Sequence, residues 1–354
     1  MYDAIVIGAR CAGAPTAMLL ARAGYRVLLL DKARFPSDKV STHYIQPEGV
    51  QLLERWGLLD AVVATNAPRI DSFTIYAGDR PMMQRPMAGP AYCPRRYLLD
   101  PILIDAAVAV GVEFREGFVV DEITMDGARV TGISGHARGE GQRQETDTYV
   151  IGAEGHRSLV AAAVGAAKYH EREALTAAYY SYWSGLDLAG AGVHLSERGG
   201  VLAFPTNDGL ACIVAGRPAG EFATYRANIE STFFSVIDGA PDFAARVRAG
   251  KRVERWVGTA DVPNFFRKPW GDGWALVGDA GYMKDPTTGL GIADAFRDAA
   301  LLAGALDEVL SGRAAAEAAL AEYQARRDEA ALPMYELTLK MASGELAPPS
   351  VPAL

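Results

Sequence analysis

One stretch near the start of the chain constrains the fold more than any other. Residues 3–8 (DAIVIG) form an apolar run typical of a buried strand, and residues 8–13 (GARCAG) predict a glycine-containing turn. An amphipathic helix is predicted over residues 14–23 (APTAMLLARA), and residues 26–31 (RVLLLD) predict a second buried strand that ends in an acid. The pattern predicts a strand–helix–strand unit that carries a dinucleotide-binding fingerprint.

The polar and glycine positions of this unit have separate physical roles. Gly8 permits a tight turn out of the first strand, and Gly13 has no side chain, so the helix can pack closely on the strand. The helix N-terminus then offers free N–H groups and a partial positive charge to a pyrophosphate. Asp31 lies 18 residues beyond Gly13, at the end of the second strand, where its carboxylate can accept hydrogen bonds from ribose hydroxyls.

The middle position of the fingerprint departs from the usual pattern. A glycine there normally lets the backbone approach the phosphates, and this chain has Arg10. A long cationic side chain can instead fold over the pyrophosphate and pair with it. The alternative is a strand–helix–strand unit without a ligand, which the flanking strand, the helix and Asp31 disfavour.

Composition excludes several classes of protein. The chain has 354 residues, of which 50% are hydrophobic and 22% charged, so a large core and more than one domain are expected. Its net charge of −8 argues against a nucleic-acid partner. No apolar run is long enough for an integral membrane segment, no signal peptide is recognisable, and the three cysteines suit a reducing compartment. We therefore expect a cytoplasmic protein, a monomer or a homodimer, that acts on a small-molecule substrate.

The pattern along the chain predicts an α/β fold with two domains. A Rossmann-like nucleotide-binding domain is expected over residues 1–70, 95–170 and 262–345, ending in helices over 290–310 and 314–341, the second interrupted at Pro333. Residues 71–94 and 171–261 are predicted to form an inserted substrate domain. There, runs rich in Tyr, Trp and Val are divided by glycine and proline, which is typical of an antiparallel β-sheet. Residues 346–354 are a proline-rich tail.

Three further motifs bear on chemistry. Arg95 and Arg96 begin a predicted helix, where two guanidinium groups can grip an anion, although solvated surface arginines fit the pattern as well. Residues 152–158 (GAEGHRS) form a turn between a strand and a helix. In residues 276–293 (LVGDAGYMKDPTTGLGIA) a strand ends at Gly278-Asp279 and a helix begins at 289–292. Asp279 can hold a ribityl hydroxyl, and the N–H groups at that helix start can face the pyrimidine edge of a flavin.

In this order, the motifs resemble those of the FAD-dependent monooxygenase family with the para-hydroxybenzoate-hydroxylase-like fold. The chain is similar also to the geranylgeranyl-reductase and flavin-halogenase branches of that superfamily, and the resemblance covers nearly its whole length. Two positions depart from the family pattern. Arg10 replaces the middle glycine, and Glu154 stands where the family usually has aspartate, in a turn associated with the use of nicotinamide cofactors.

The resemblance implies a cofactor, a reaction and a set of cofactor-binding residues. FAD would be reduced by NAD(P)H, and O2 would supply an oxygen atom to a small, fairly apolar or aromatic substrate held between the domains. Alternatives within the superfamily are an FAD-dependent reductase of the geranylgeranyl-reductase type, a flavin-dependent halogenase and a non-catalytic escort scaffold. The residues that the resemblance places at FAD are Gly8, Arg10, Cys11, Ala12, Gly13, Asp31, Lys32, Ser41, Arg96, Val120, Asp279, Pro286, Gly289, Leu290, Gly291 and Ile292.

Candidates for catalysis and substrate binding are fewer. His43 belongs to a segment that approaches the flavin ring in the resembling fold, so it can act as an acid or base or bond the flavin, or it can simply cap a turn. The aromatic residues Tyr180, Tyr182, Trp183 and Phe204 can line a substrate pocket or form plain core. A halogenase needs a lysine to carry hypohalous acid, but the Trp-x-Trp-x-Ile-Pro signature is missing. Lys284 is therefore interpreted as a surface residue, and no metal site is predicted.

Overall fold

The computed structural model describes residues 1–38 and 41–345, so the predicted tail over 346–354 lies outside the described residues. The helices are α1 (Gly13–Arg22), α2 (Pro47–Trp56), α3 (Leu59–Val63), α4 (Arg96–Ala109), α5 (Leu159–Ala163), α6 (Phe222–Ala227), α7 (Ile229–Ile237), α8 (Pro241–Ala249), α9 (Gly291–Leu310) and α10 (Ala316–Ala342). The strands are β1 (Tyr2–Ile7), β2 (Val27–Asp31), β3 (Arg69–Ala77), β4 (Arg80–Tyr92), β5 (Glu113–Glu116), β6 (Phe118–Asp126), β7 (Arg129–Ala137), β8 (Arg143–Gly152), β9 (Lys168–Arg172), β10 (Thr176–Ser184), β11 (Ala191–Ser196), β12 (Gly199–Pro205), β13 (Ala211–Pro218), β14 (Lys251–Arg252), β15 (Val257–Thr259), β16 (Asn264–Arg267), β17 (Trp270–Gly271), β18 (Trp274–Leu276) and β19 (Tyr282–Met283).

The first sheet has the strand order β17–β18–β8–β1–β2–β5, and its five strands from β18 to β5 run parallel. Strand β1 lies at its centre, and Ile5 pairs with Leu28 on one side and with Val150 on the other. Both faces of the sheet are buried, as parallel strands require. Ala4 and Val6 pack with the helices α1, α4 and α9, whereas Ile5 packs with β6, β7 and α5.

The second sheet has the order β14–β10–β13–β12–β11–β3–β4, with β15 also paired to β10. Its pairings are antiparallel except that β11 runs parallel to β3. Helices α6, α7 and α8 cover one face, and the other face meets the segment that follows β2. The prediction of a Rossmann-like domain with an inserted sheet and C-terminal helices is confirmed. The domain boundaries stay a prediction.

The predicted break at Pro333 is wrong, because α10 runs through this residue without interruption. Pro333 removes one helical hydrogen bond, but its side chain is exposed, so water can satisfy the freed carbonyl. On the opposite face of α10, Ala331 and Tyr335 pack against Phe266 of β16 and Tyr282 of β19. This packing holds the helix against the same two strands on both sides of the proline. None of the helices in the described ranges 1–38 and 41–345 combines the length and the hydrophobicity needed to cross a membrane.

Candidate functional site

The two glycine-rich turns predicted from opposite ends of the chain meet at the carboxyl edge of the first sheet. A Cβ atom on Gly13 would lie 1.8 Å from the carbonyl oxygen of Gly8, so only glycine allows α1 to approach β1 this closely. Gly278, with φ of +59°, is placed so that a Cβ atom would lie 2.7 Å from the Cβ of Ala12. The turn that opens the chain and the turn that carries Asp279 therefore border one cleft, at the edge where open α/β sheets bind their ligands.

Asp31 ends β2 beside this cleft, and two backbone N–H groups fix its carboxylate. Oδ2 accepts a hydrogen bond from Ala9 N at 2.9 Å, and Oδ1 accepts one from Ala33 N at 2.8 Å. A carboxylate can accept about four hydrogen bonds, so roughly half of its capacity remains for ribose hydroxyls. Lys32, which follows Asp31, is exposed, and Val120 is half-buried in the neighbouring strand β6.

A buried carboxylate that the sequence analysis missed organises the end of the cleft beside the start of α1. Asp100 in α4 is fully buried and accepts a hydrogen bond from Nε of Arg96 at 2.8 Å, and it also pairs with Arg10. Arg10 donates further to Oγ of Ser37 at 2.9 Å, and Sγ of Cys11 lies 3.8 Å from Asp100. Two guanidinium groups and one carboxylate leave a net charge of about +1 beside the start of α1, which suits a pyrophosphate.

Asp279 and the start of α9 form the opposite end of the cleft. The Asp279 side chain is reached by solvent, yet protein surrounds it on most sides, and this desolvation raises the pKa of its carboxyl. Gly289 has φ of +64°, and a Cβ atom there would lie 3.5 Å from the ring of Tyr44. A Cβ on Gly291 would meet no described atom within 4 Å, and no described side chain caps α9, so its first turn opens onto free space.

These features fit FAD as the occupant. Two helix starts supply N–H groups, one for a pyrophosphate and one for a flavin ring, and Asp31 and Asp279 can take the hydroxyls of the two sugar units. The loop from Pro286 to Gly289 leads from the Asp279 turn into α9, and Leu290 and Ile292 lie at the start of that helix. Ser41 borders the far side, where its N–H lies 3.4 Å from the hydroxyl of Tyr180.

His43 is buried between the cleft and the second sheet. Its Nε2 lies 3.1 Å from the hydroxyl of Tyr182, and its ring packs edge-on against Phe204 at 5.2 Å. Within the described residues, Nδ1 has no hydrogen-bond partner. Burial, helped by the positive charges of Arg95 and Arg96, lowers the pKa of His43 to about 3, so the ring is neutral at pH 7.

This shift gives His43 a testable effect on stability. An unfolded histidine has a pKa near 6.5, so below that pH the unfolded chain binds a proton that the folded chain does not. The free energy of unfolding should therefore fall as the pH drops from 7 towards 4, by up to about 1.4 kcal/mol per pH unit from this residue. Urea melts of the wild type and of His43→Gln across this range measure it. The His43→Gln profile should be flatter, and parallel profiles would contradict the assignment.

The aromatic residues of β10 divide between the two faces of the second sheet. Tyr180 and Tyr182 pack with Phe204 in what we call the chamber cluster, which also contains Tyr44, Ile70, Ala91, Cys93, Ala191 and Cys212. Trp183 does not belong to it, because the alternation of a strand turns its ring to the opposite face, against Phe233 of α7 at 5.4 Å. Trp183 is thus separated from the other three aromatic candidates, and its assignment to the substrate pocket stays a prediction.

Arg95 and Arg96 pair with different carboxylates. Arg95 is buried, and its guanidinium lies 3.8 Å from the ring centre of Tyr182. It pairs with Asp38 at 2.6 Å and with Glu254 at 2.7 Å, so its charge is compensated within the protein. Of the two, only Arg96 pairs with Asp100, beside the start of α1.

The surface-lysine interpretation of Lys284 is also wrong. Its side chain is 4% exposed, donates a hydrogen bond to the hydroxyl of Tyr282 at 2.7 Å, and pairs with Asp294 in the first turn of α9. Within the described ranges, no group of three or more His, Cys, Asp or Glu side chains is arranged to hold a metal ion.

A cationic pocket of about 470 Å³ opens beside the turn over residues 152–158. Its walls include His156, Arg157, Lys168 and Arg267. Asp261 pairs with His156 and Arg157, and Glu171 pairs with Lys168 at 2.6 Å. Arg267 donates to the carbonyls of His156 at 3.0 Å and of Ala280 at 2.8 Å, and so ties this turn to the one that carries Asp279. The Glu154 carboxylate accepts a hydrogen bond from Val160 N at 3.1 Å, and burial raises the pKa of Glu154.

Sequence comparison places these features in a known family. The family described as FAD binding domain matches residues 1–338. The chain is 24% identical over 336 residues to tryptophan 2-halogenase of Chondromyces crocatus, covering 90% of this chain but 64% of that protein. It is 26% identical to digeranylgeranylglycerophospholipid reductase 2 of Methanopyrus kandleri, covering 82% and 73% of the two chains. It is also 26% identical to 6-methylpretetramide 4-monooxygenase of Streptomyces rimosus, covering 92% and 80%.

Solved structures with the same fold include a halogenase and a protein described as a probable monooxygenase. The myxobacterial chondrochloren halogenase CndH superposes with a TM-score of 0.89 at 23% identity, over 95% of this chain and 81% of that one. PqsL of Pseudomonas aeruginosa, described as a probable FAD-dependent monooxygenase, superposes with a TM-score of 0.83 at 21% identity, over 97% and 96%. At these identities the likeness concerns the fold alone.

Proposed function

The chain belongs to the FAD binding domain family, and we propose that it is a flavoprotein monooxygenase using FAD, O2 and NAD(P)H. Its substrate would be a small, fairly apolar or aromatic organic molecule. One observation carries the proposal: the loop that joins the Asp279 turn to α9 touches a buried aromatic cluster, so that a flavin ring and such a substrate can meet. Tyr44 of that cluster lies against Gly289, and Gln46 donates to the carbonyl of Thr288 at 3.2 Å.

Bound FAD would supply hydride acceptance and reaction with O2, and the chain's residues would bind and orient it. Asp31 would hold the adenosine ribose, Arg96 the pyrophosphate and Asp279 the ribityl chain. Because Asp100 already pairs with Arg10 and Arg96, these cations are positioned before the cofactor arrives. Pre-positioned charges lose less free energy to reorganisation on binding.

The chamber cluster would form the substrate site. Tyr180, Tyr182 and Phe204 are each at most 7% exposed because they pack within the cluster, so the substrate would lie at the edge of the cluster, beside the loop that precedes α9. The neutral His43 ring and the Tyr182 hydroxyl lie 3.1 Å apart and share a hydrogen bond that fixes the orientation of the ring. We propose that His43 acts as a neutral hydrogen-bonding group that orients a substrate hydroxyl through its unpartnered Nδ1.

The halogenase alternative is less well supported. A lysine that carries hypohalous acid must present an uncharged amine to the reactants, and Lys284 is held by Asp294 and Tyr282. The reductase alternative uses the same cofactor residues and is separated from our proposal by the reaction itself.

NAD(P)H is proposed to donate its electrons from the cationic pocket, whose arginine and lysine side chains suit the phosphates of a nicotinamide dinucleotide. Replacing both Arg157 and Lys168 with alanine should raise the KM for NAD(P)H by roughly tenfold or more, since each charge-assisted hydrogen bond contributes about 1.5–3 kcal/mol. The kcat should change little. Arg143→Ala, which removes an exposed arginine paired with Glu140, is the control. Equal KM values in all three proteins would contradict this donor site.

The decisive experiment combines cofactor analysis with product analysis. The purified protein should be yellow from bound FAD, should consume O2 with NADH or NADPH when phenols or other small aromatics are present, and should give a product that has gained one oxygen atom. A product that gains two hydrogens without O2 would favour the reductase, and a halogenated product in bromide or chloride would favour the halogenase. A protein that cannot be reconstituted with FAD would refute the proposal.

A further inference from the structure

We propose that the buried Lys284–Asp294 pair sets the reduction potential of the bound FAD by controlling how much negative charge the start of α9 presents to the flavin. This inference rests on the FAD site proposed above but not on the reaction with oxygen. It assigns a role to two residues that lie outside the chamber cluster.

The pair lies directly behind the helix start that faces the cleft. Asp294 belongs to the first turn of α9, and its side chain is 13% exposed, while that of Lys284 is 4% exposed. The Lys284 ammonium also donates to the Tyr282 hydroxyl at 2.7 Å, and Oδ1 of Asp294 accepts a second hydrogen bond from Arg297 at 2.7 Å. Each charge is therefore held in one position relative to the cleft.

The electrostatic effect has a definite sign. The N–H groups at the start of a helix carry a partial positive charge, which stabilises an anion placed before them, and a carboxylate in the first turn opposes this effect. Lys284 compensates Asp294, and Arg297 is shared between Asp294 and the buried Asp298, with which it pairs at 2.7 Å. Charges in a partly buried site act over several ångströms with little screening. The charges of both residues influence a group in the cleft. Desolvation is the largest cause of the raised pKa of Asp279, Asp294 raises this pKa further, and Lys284 lowers it.

Reduction of FAD takes up two electrons and one proton and leaves one negative charge on the ring system. Replacing Lys284 with methionine removes a compensating charge and leaves Asp294 negative, so reduced FAD should lose affinity relative to oxidised FAD. Replacing Asp294 with asparagine should do the opposite. We expect the ratio of the two dissociation constants to change by roughly tenfold in each case, which corresponds to about 30 mV for a two-electron couple.

The test is an anaerobic titration without substrate. Dithionite supplies the electrons, and a reference dye reports the potential. The potential should fall in Lys284→Met, rise in Asp294→Asn, and return near the wild-type value in the double variant. Arg313→Met is the matched control, since Arg313 pairs with Asp307 near the other end of α9. Asp307 lies 13 residues from Asp294, or about 20 Å along the helix.

Shifts of the same sign in both single variants would overturn the proposal. So would potential shifts so small that the ratio of the two dissociation constants changes by less than twofold. If Lys284→Met does not retain FAD, the sign of the Asp294→Asn shift decides, because that substitution keeps the side-chain shape. A wild-type protein without FAD would refute the cofactor site itself. A wild type that binds FAD and gives unshifted variants would refute this inference alone.

Discussion

Gly13→Ala should eliminate useful FAD binding, lowering the affinity by about 100-fold or more. The added Cβ atom would lie 1.8 Å from the Gly8 carbonyl oxygen and 3.1 Å from the Cβ of Ala153. Both neighbours belong to the strand ends that form the cleft, so α1 must move away from β1, and its N–H groups then leave the pyrophosphate. A 100-fold loss corresponds to about 2.7 kcal/mol, a moderate figure for a clash with backbone in a packed core. Titration of the apoprotein with FAD, followed by flavin fluorescence, measures it.

Gly304→Ala makes the same substitution in α9, where an added Cβ meets no described atom within 4 Å. This control should bind FAD as the wild type does, and it should be slightly more stable, by up to about 1 kcal/mol, since alanine is the better helix former. Wild-type FAD affinity in Gly13→Ala would show that the opening turn does not hold the cofactor.

The sequence predicts the first unit well because its determinants are local. Gly8, Gly13 and Asp31 act through the turn, helix and strand in which they lie, so their spacing alone specifies the geometry. The turn at Asp279 is similar, since the strand before it and the helix after it are both recognisable by pattern. Contacts between distant segments are different. Asp100 could be linked to Arg96 by helical spacing, but its pairing with Arg10 spans 90 residues.

The aromatic residues of β10 show what sequence alternation can and cannot predict. Alternation along β10 separates Tyr180 and Tyr182 from Trp183, so the two faces could be distinguished from the sequence. Helices α6, α7 and α8 cover one face of the second sheet and leave the opposite face to meet the first domain. This arrangement depends on tertiary packing, which the alternation does not predict. Lys284 gave no local signal, because its partner Asp294 lies across a loop and a helix start.

Asp100→Asn should destabilise the fold by about 3–5 kcal/mol, because it leaves the guanidinium of Arg96 buried without a compensating charge. Asparagine keeps the side-chain shape, so the loss reports charge rather than packing. FAD should recover part of this loss, since its pyrophosphate brings negative charge to the same arginines. The rise in melting temperature on adding saturating FAD should therefore be larger in Asp100→Asn than in the wild type, as measured by thermal melts with and without cofactor.

The matched control is Asp71→Asn, which breaks an ion pair between two exposed side chains, Arg69 and Asp71. Water already solvates both groups, so little change in stability and an unchanged response to FAD are expected. If FAD raised the melting temperature of Asp100→Asn no more than that of the wild type, the two arginines would not face the pyrophosphate. Asp100 would then be a structural residue of α4, and the net positive charge beside the start of α1 would have to be assigned to a different ligand.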